Sequence, residues 1–441
     1  MKLLAVTPLG RNRDKSRLWI ETRRLEALGF PPGTPFTVEA RGDELVLRPS
    51  ILAENHVSGR RTATGLRPII DVANQAYLGP LAEFPELKVT GWHERLRVTP
   101  TRRAAAILRS RRLTPPFRVL EVFAGGGTLT AAVAGNEAYA ISAGIEIDPK
   151  FADIWQAAHP GAALIQADIR AVETSDLPEF DILIGGIPCT SHSTLGRAKK
   201  GLGGKPEIGD TGDLFLPVIG IIRERMPAAI LFENVPSFGT SLAGQLLTTH
   251  LERLGYHVFT TVLKPNEEWN EIEDRKRWIL VATLDRPFDL KAPGIPNTTP
   301  VSAFLDPPDP ERDAADARRI ERTIEGLRAH QARHAALGHG FGFTVLAGSG
   351  TRLPVIPKSY HKINSGPFVQ TSFGPRLLRL VELERLREFP LTTSDFSTGA
   401  ELIGQGVQPT VFKELFDQLS ATLSTARSPV HLRLGGYRCV M

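Results

Sequence analysis

From Phe117 onward the chain repeats one pattern: a short apolar run, then a stretch that is mostly long enough for a helix. The runs are rich in Val, Ile and Leu, and they read FRVLEVF, AISAGIEID, AALIQADI, FDILIGG, AAILFENV, GYHVFTTVL and RWILVATL. Buried parallel strands show such continuous apolar runs, and parallel neighbours need a crossover connection. The alternation therefore predicts an α/β fold with a doubly wound, mostly parallel sheet.

The chain on either side of this alternation has a different pattern. In residues 1–115, short strand-like runs such as RLWIE and LVLRP are separated by turn-forming segments, which predicts a small β-rich domain. The alternation covers 116–285. A loop-rich insert with one long charged helix covers 286–370, and regular helix returns in 371–441. At 441 residues the chain suits two or three domains, so we expect 371–441 to complete the domain that 116–285 begins.

The net charge of +5 is concentrated near the N-terminus, where residues 1–116 hold 20 Lys and Arg against 11 Asp and Glu. Most of these cations are arginines, which suit phosphate oxygens, although a solvated surface without a ligand fits the charge equally well. No apolar run approaches the roughly 18 to 20 residues that a membrane span needs. Two cysteines provide neither a disulfide framework nor a four-ligand zinc site. These features predict a cytoplasmic protein with free thiols and no metal.

The segment VLEVFAGGGTLTAAV predicts a strand, a glycine turn and a helix. Gly125 and Gly127 fall in the turn, where glycine lets the backbone bend sharply and approach a ligand. The second strand ends at Glu146 or Asp148, where an acid would bind a ribose diol, and the third offers Asp168 to an adenine edge. This pattern fits nicotinamide dehydrogenases as well as adenosylmethionine enzymes. An ordinary tight turn without a ligand is the structural alternative.

Three later segments deliver reactive side chains to the same edge of the sheet. Cys189 follows Pro188 in a loop of small residues, where a thiolate would be a nucleophile. The next strand ends at Glu233. Arg275 and Arg277 start the last strand, where alternation would put both side chains on one face. Taken singly, these residues also fit a packing cysteine, a helix-capping acid and a solvated charge run.

These motifs, in this order, resemble the cytosine-5 DNA methyltransferases over about Arg118 to Leu419. FAGGGT resembles the adenosylmethionine loop, GIEID the ribose-binding step, ADI the adenine-binding step, GGIPC the nucleophile segment and GDLF the cofactor-side helix. FENV, EDRKR, ELERLREFP and IGQGVQP resemble the later motifs. The resemblance implies a class I adenosylmethionine-dependent methyltransferase fold with S-adenosyl-L-methionine as cofactor. The residues that it assigns to the cofactor are Phe123, Gly125, Gly127, Glu146, Ile147, Asp168, Ile169, Pro188 and Leu214.

The resemblance further implies methyl transfer to C5 of a cytosine flipped out of duplex DNA. Cys189 would add to C6, Glu233 would hydrogen-bond or protonate N3, and Arg275 would hold O2. Arg277 would support the loop, a phosphate or Glu233. Among the departures from the family pattern, Glu273 replaces a glutamine and Ile147 a frequent aromatic. Others are Gln405, where an asparagine is usual, and Thr190 and His192 after the Pro-Cys pair.

Three regions are assigned to DNA. The loop after Cys189 would close as a mobile lid, with phosphate contacts from Arg197, Lys199, Lys200 or Lys205. The insert 286–370 would be the target recognition domain, with GHGFGF and PKSYHKINSG reading base edges. Residues 1–115 loosely resemble small bacterial DNA-binding modules. The implied partners are duplex DNA, bound by a monomer, and a cognate restriction endonuclease, in a bacterium or phage.

Three alternative functions stay open from the sequence. A tRNA cytosine-5 methyltransferase would use the same chemistry, but the large insert and the basic N-terminal region suit duplex DNA. A catalytically silent DNA-binding regulator would not need Cys189, Glu233 and Arg275 together. A nicotinamide dehydrogenase is disfavoured by the F-x-G-x-G spacing of the glycine turn.

Overall fold

The computed structural model describes residues 2–12, 15–188, 211–338, 343–363 and 366–425. It contains two compact units. One comprises Met1–Arg112 with Arg223–Ala228, and the other comprises Leu113–Ile222 with Ala229–Met441. Each unit has its own hydrophobic core. None of the helices in the described ranges is long and apolar enough to cross a membrane.

The first unit is built from two antiparallel sheets. Its strands are β1 Lys2–Thr7, β2 Gly10–Asn12, β3 Lys15–Glu21, β4 Pro35–Arg41, β5 Glu44–Pro49, β6 Asn55–His56, β7 Ser58–Thr62, β8 Gly65–Val72, β9 Leu87–Trp92 and β10 Arg95–Pro100, with helices α1 Gln75–Leu78 and α2 Arg102–Arg111. One sheet has the order β1-β9-β10-β5-β4-β6 and the other β2-β3-β8-β7. Sequence patterning missed β2, β6 and β7, because these segments are short or contain no apolar residue.

Alternation along the four-stranded sheet separates a core face from an outer face. Leu18 and Ile20 of β3 are almost fully buried, and they pair with Val72 and Ile70 of β8. Trp19 lies between them on the opposite face, because successive side chains of a strand point in opposite directions. The inner face therefore supplies the core of this unit, and the outer face presents polar and charged residues.

The second unit contains the predicted mixed sheet. Its strands are β11 Phe117–Val122, β12 Tyr139–Glu146, β13 Ala163–Gln166, β14 Ile182–Gly186, β15 Ala229–Asn234, β16 His257–Leu263 and β17 Arg277–Thr283. Their order is β13-β12-β11-β14-β15-β17-β16, and β17 is antiparallel to both of its neighbours. The neighbouring pairs from β13 to β15 are parallel. The seven apolar runs are thus the seven strands, and the predicted fold class is confirmed.

Helices flank this sheet and follow it in the chain. They are α3 Pro149–Ala158, α4 Phe215–Arg225, α5 Pro236–Gly239, α6 Leu242–Leu254, α7 Pro265–Glu268, α8 Pro310–Ala336, α9 Leu380–Arg387, α10 Phe396–Gln405 and α11 Pro409–Ser424. α11 buries Phe412, Leu415 and Phe416 in the same core cluster as Val119 and Ile184 of the sheet. Each such side chain contributes about 1.5–3 kcal/mol on burial, so the C-terminal helices are part of the sheet domain.

The region between β17 and α9 has its own small sheet and core. Strands β18 Val345–Leu346, β19 Phe368–Thr371 and β20 Gly374–Arg376 lie in the order β18-β19-β20. Ile320 and Ile324 of α8 are buried in one cluster with Phe368. The hairpin of β19 and β20 continues past residue 370, so a recognition domain in this region would end after Arg376.

Candidate functional site

The glycine turn after β11 has an unusual backbone held by tight packing. Phe123, Gly125 and Gly127 have φ of 55°, 53° and 80°, in the left-handed region that favours glycine. Gly126 lies close to a neighbouring helix. A Cβ there would lie 2.2 Å from Cδ2 of Leu402 in α10, so a side chain at this position would force the Leu402 side chain to move.

The acid at the end of β12 is Glu146, and it braces the glycine turn. Its Oε2 accepts the N–H of Gly125 at 2.7 Å, and its Oε1 accepts the N–H of Asp148 at 2.8 Å. The carboxylate of Asp148 instead caps α3, because its Oδ1 accepts from the N–H of Lys150 at 3.0 Å. Of the two acids that the sequence left open, Glu146 is therefore the one that lies against the glycine turn.

Asp168 belongs to a short chain of charges after β13. It accepts the N–H of Arg170 at 2.9 Å and pairs with Nη1 of the same arginine at 3.1 Å. Nη2 of Arg170 lies 2.6 Å from Asp213, just before α4. The link lowers the pKa of Asp213, chiefly through that hydrogen bond. Arg170 thus connects the ADI and GDLF segments, and sequence analysis did not single it out.

The apolar residues assigned to the cofactor differ in exposure. Ile147 is 61% exposed beside Glu146, so its side chain is accessible to a flat ligand. Ile169 and Leu214 are 4% and 7% exposed, and Pro188 is half-buried. Ile169 and Leu214 therefore belong mostly to the packing beneath this surface.

The IGQGVQP segment closes over the glycine turn, as the resemblance implies for a cofactor-side motif. The N–H of Val407 lies 3.4 Å from Oγ1 of Thr128. A Cβ at Gly406 would lie 2.6 Å from the methyl group of Thr128, so this backbone approach also requires glycine. A Cβ at Gly125 would meet only Nε2 of Gln405, at 3.8 Å, which leaves space beside the turn.

A buried hydrogen-bond network supports the turn from within. Oε2 of Glu121 in β11 accepts from Nε1 of Trp155 at 2.7 Å and lies 3.0 Å from Oγ1 of Thr130. Nε2 of His159 is 2.9 Å from the same hydroxyl group. Burial raises the pKa of Glu121 to about 7, although both donors counteract it. One signal of this network is visible in the sequence: an acid lies inside the apolar run VLEVF.

Glu233 lies at the carboxyl end of β15 with few partners. Its Oε2 is 3.2 Å from Nε of Arg277, yet in the described ranges that oxygen accepts no aligned hydrogen bond. Its Oε1 occupies the space that a side chain at Gly186 would need, since a Cβ there would lie 2.6 Å away. Burial raises the pKa of Glu233, and the charges of Arg277 and Arg275 offset this only in part.

Asn234 ties the end of β15 to the segment that leads to the candidate nucleophile. Its Nδ2 donates to the carbonyl of Ile187 at 3.0 Å, and its Oδ1 accepts the N–H of Val235 at 2.8 Å. The amide is 2% exposed, so both bonds are shielded from water. This places the FENV and GGIPC segments side by side, as strand order predicted.

Arg275 does not share a strand face with Arg277, so that prediction was wrong. β17 begins at Arg277, and Arg275 lies in the preceding turn, where its N–H bonds the carbonyl of Glu273. The Arg275 guanidinium is buried. Nε donates to Glu273 at 3.1 Å, and Nη2 donates to the carbonyls of Ile356 and Gly404 at 2.6 and 2.8 Å. Arg275 is committed to the fold, and Arg277 is the arginine beside Glu233.

Glu273, the residue that departs from the family's glutamine, has a second arginine. Nη2 of Arg387 in α9 lies 2.7 Å from its Oε2, and Oε1 accepts the N–H of Ile356 at 2.9 Å. Burial alone would raise the pKa of Glu273, but Arg387, Arg275 and this N–H together lower it. Burial in turn lowers the pKa of Arg387 to about 9. A glutamate here is therefore matched by a buried cation.

Several predicted site residues lie outside the described part of the chain. These are Cys189, Thr190, His192, Arg197, Lys199, Lys200 and Lys205 in 189–210. Most of GHGFGF and two residues of PKSYHKINSG also lie outside it. Within the described ranges, no group of three or more His, Cys, Asp or Glu side chains is arranged to hold a metal ion.

Known structures share the fold of this chain. The S. pombe Dnmt2 methyltransferase superposes with a TM-score of 0.56 at 18% identity, covering 70% of this chain and 99% of that one. The Entamoeba histolytica methyltransferase EhMeth superposes with a TM-score of 0.55 at 16% identity, covering 70% and 99%. At these identities the likeness concerns the fold alone.

Sequence comparisons identify the family. The Type II methyltransferase M.NlaX of Neisseria lactamica is 29% identical over 320 residues, covering 70% of this chain and 97% of the relative. The Type II methyltransferase M1.ScrFI of Lactococcus lactis subsp. cremoris is 28% identical over 292 residues, covering 63% and 71%. The profile of the C-5 cytosine-specific DNA methylases matches residues 117–421, well over half of the chain. The protein therefore belongs to the C-5 cytosine-specific DNA methylase family and is a DNA (cytosine-5) methyltransferase.

Proposed function

We propose that this protein transfers a methyl group from S-adenosyl-L-methionine to C5 of a cytosine flipped out of duplex DNA, through a covalent bond between Cys189 and C6. The observation that carries the proposal is Glu233. This half-buried carboxyl group has one buried oxygen without an aligned hydrogen bond in the described ranges, has a raised pKa and lies at the strand edge that also carries the glycine turn. A carboxyl group in that state donates a proton readily to a ring nitrogen.

The residues around the glycine turn fit the cofactor. Glu146 is fixed by the N–H groups of Gly125 and Asp148, and lone pairs remain on its oxygens for a ribose diol. Exposed Ile147 offers an apolar surface to adenine, and Asp168 offers a carboxylate to its edge. S-adenosyl-L-methionine, when bound, supplies the methyl group that C5 accepts.

The chain's own groups then activate the base. C5 of cytosine is a weak nucleophile, and addition of the Cys189 thiolate to C6 makes C5 enamine-like. Glu233 donates a proton or hydrogen bond to N3, which neutralises the charge that this addition places on the ring. After C5 has accepted the methyl group, loss of the C5 proton, breaking of the C6–S bond with the thiolate leaving, and return of the N3 proton to Glu233 restore the aromatic ring and both side chains.

Arg277 takes the role that the sequence assigned to Arg275. Its guanidinium lies beside Glu233, and we propose that it holds O2 of the cytosine. Asn234 is a positioning residue, since its hydrogen bond to the Ile187 carbonyl orients the segment that leads to Cys189. The cysteine cannot reach C6 in a stacked duplex, so the base must leave the helix.

We assign target recognition to the region from 286 to Arg376, with α8 and the small sheet as its framework. The loop that follows Cys189 is proposed as the lid that closes on DNA. The relatives' names, Type II methyltransferases, support a role in restriction-modification, with a monomer acting on DNA and a cognate endonuclease as cellular partner.

One assay tests the reaction. Tritiated S-adenosyl-L-methionine is offered with duplex DNA or with tRNA, and the Cys189→Ala variant is compared with the unaltered chain. We expect label in DNA only, and none with the variant. Preferential labelling of tRNA, or equal labelling by the variant, would overturn the proposal. DNA containing 5-fluorocytosine should trap the unaltered enzyme covalently, because fluorine at C5 blocks the final elimination.

A further inference from the structure

One hairpin of the first unit contains several arginines and no acidic residue. β7 and β8 are joined by a tight turn, and the segment from Ser58 to Arg67 is called the arginine hairpin below. It contains Arg60, Arg61 and Arg67, and no Asp or Glu occurs between Val57 and Ile70. The hairpin forms one edge of the four-stranded sheet, with β7 outermost.

Both faces of this hairpin are open to solvent. Arg60 pairs directly with Arg67 on one face, and Arg61 pairs with Leu66 on the other. The side chains of Arg60 and Arg67 are 60% and 43% exposed, and Leu66 is 50% exposed. A two-stranded ribbon that is exposed on both sides has the dimensions of an element that enters or straddles a DNA groove.

The positive charges of the arginine hairpin do not stabilise the sheet in which they lie. Like charges directly opposite each other on neighbouring strands destabilise a sheet, and Arg60 and Arg67 are such a pair. One carboxylate, Glu21 of β3, lies between them at 3.3 and 3.7 Å. Arg61 has no carboxylate partner within the described residues. The hairpin therefore holds more cation than its surroundings neutralise.

The other sheet of the same unit is organised differently. Nη2 of Arg41 lies 2.5 Å from Glu39, and Nε of Arg97 lies 2.6 Å from Glu44. Each of these cations has its own carboxylate at short range. These two cations are therefore neutralised locally, whereas, among the described residues, Arg61 of the arginine hairpin is not.

The tip of the hairpin is held in place by an arginine that lies far from it in the chain. Nη2 of Arg23 donates to the carbonyl of Thr64 at 2.8 Å and lies 3.3 Å from Oγ1 of Thr62. The Thr62 hydroxyl in turn donates to the carbonyl of Gly65 at 2.7 Å. A fixed tip loses little conformational entropy on binding, which favours a ligand that meets it in this shape.

We propose that the arginine hairpin is a second DNA-binding surface, on which Arg60, Arg61 and Arg67 contact phosphates of duplex DNA. The inference rests on the proposed function in one respect: it takes duplex DNA as the substrate. Phosphate contacts fix a protein on DNA without reading its sequence. The hairpin would therefore strengthen binding to all duplexes and leave the choice of target to the second unit.

The test removes the three charges together in the full-length protein. The variant Arg60→Gln/Arg61→Gln/Arg67→Gln is compared with Arg41→Gln/Arg48→Gln/Lys88→Gln, which removes the same charge from exposed positions of the other sheet. Affinity for a fluorescent duplex of several helical turns is measured over a range of salt concentrations. Each lost phosphate contact lowers the steepness of log K against log salt by about 0.9.

We expect the hairpin variant to lose about 2 to 3 from the magnitude of this slope, and about tenfold or more in affinity near 0.1 M salt. The matched variant should keep the unaltered slope. Equal losses in both variants, or no loss in the hairpin variant, would overturn the proposal. If the triple variant does not fold, the exposed single change Arg61→Glu decides in the same assay: unchanged affinity contradicts the proposal.

The labelling assay separates this inference from the proposed function. If the unaltered chain transfers no methyl group to duplex DNA, the proposed reaction fails whatever the hairpin does. If methylation proceeds and the hairpin variant binds duplex DNA as tightly as the unaltered chain, only the present inference fails.

Discussion

Two carboxylates of the sheet domain, one half-buried and one fully buried, have an arginine at nearly the same distance and are otherwise unlike. Glu233 lies 3.2 Å from Nε of Arg277, and Glu273 lies 3.1 Å from Nε of Arg275. Glu273 also has Arg387 and the N–H of Ile356, and its pKa is lowered. Glu233 has no such additional donors in the described ranges, and burial raises its pKa.

The difference separates a carboxylate that serves the fold from one that is kept for a ligand. A buried charge is stabilised by donors to its oxygens. Oε1 of Glu273 accepts two hydrogen bonds and Arg387 lies against its Oε2, although Oε2 of Glu273, like Oε2 of Glu233, accepts no aligned hydrogen bond in the described ranges. Glu233 has one ion pair among the described residues, so we expect a proton or a substrate N–H to complete it. The distance to the nearest arginine alone does not distinguish Glu233 from Glu273, because the two distances are nearly equal. The number of further donors distinguishes them.

The largest effect is expected at the under-bonded carboxylate. Glu233→Gln should reduce the rate of methyl transfer by about 10²- to 10⁴-fold, because glutamine cannot protonate N3. In the role that we propose for Glu233 the protonated form is the active one, so the rate should fall as pH rises through its raised pKa. The variant should lose this pH dependence. Single-turnover labelling at several pH values measures both effects.

The exposed Glu252→Gln is the matched control, and its rate should be unchanged. A Glu233→Gln enzyme with the full rate and the same pH profile would show that this carboxylate is no proton donor.

Breaking the buried ion pairs around Glu273 should cost stability. Arg275→Gln removes the donor to the carbonyls of Ile356 and Gly404 and leaves Glu273 with one arginine. Removing one partner of a buried ion pair costs about 3–5 kcal/mol of unfolding free energy. Urea unfolding followed by circular dichroism measures it. A loss below that of an exposed change such as Arg322→Gln would contradict the structural role given to Arg275.

A third buried carboxylate extends the comparison to a site without arginine. Glu121 is bonded by neutral donors only, and its pKa is raised to about 7. The unfolded chain ionises near the usual value, so this group destabilises the fold increasingly as pH rises from about 4.5 to 7. Glu121→Gln should therefore gain stability over the unaltered chain across that range, by up to about 3 kcal/mol.

Thermal unfolding at a series of pH values checks this expectation, with the exposed Glu137→Gln as control. The gain should be absent near pH 4 and largest above pH 7 if burial controls the titration of Glu121. A difference that does not change with pH would mean that Glu121 titrates normally.

The smallest effect is expected from the arginine beside Glu233. Arg277→Gln should lower the rate of methyl transfer by about 10²-fold, as the loss of one charge-stabilising donor does elsewhere. Its unfolding free energy should change much less than that of Arg275→Gln, because the side chain of Arg277 is more exposed. If the two variants exchange these phenotypes, the assignment of the two arginines must be reversed.

The segments that form strands, their order along the chain and the sheet edge that carries the site were predictable, because each depends on a local pattern. The error at Arg275 came from placing the start of a strand two residues too early, which moved one side chain to the wrong face. Arg387 could not have been found in this way. Its pairing with Glu273 joins two segments far apart in the chain, and nothing local in either segment specifies the partner.

The buried hydrogen-bond network of Glu121 beneath the glycine turn also has partners that a local sequence pattern does not specify. An acid in an apolar strand indicates a buried partner, but the sequence does not say that Trp155 and Thr130 provide it. The residues from Cys189 to Asp210 lie outside the described ranges, so the chemistry assigned to Cys189 stays a prediction from its motif.

The packing of α10 on the glycine turn has a consequence for the order of synthesis. Leu402 packs against Gly126, and Thr128 contacts the backbone at Gly406 and Val407. A ribosome makes the turn early and these partners almost three hundred residues later. The nascent chain therefore leaves the ribosome for most of its length without the finished packing around the glycine turn. Translation must pass α10 before any polypeptide is competent to mark DNA, so prematurely terminated products are expected to be silent.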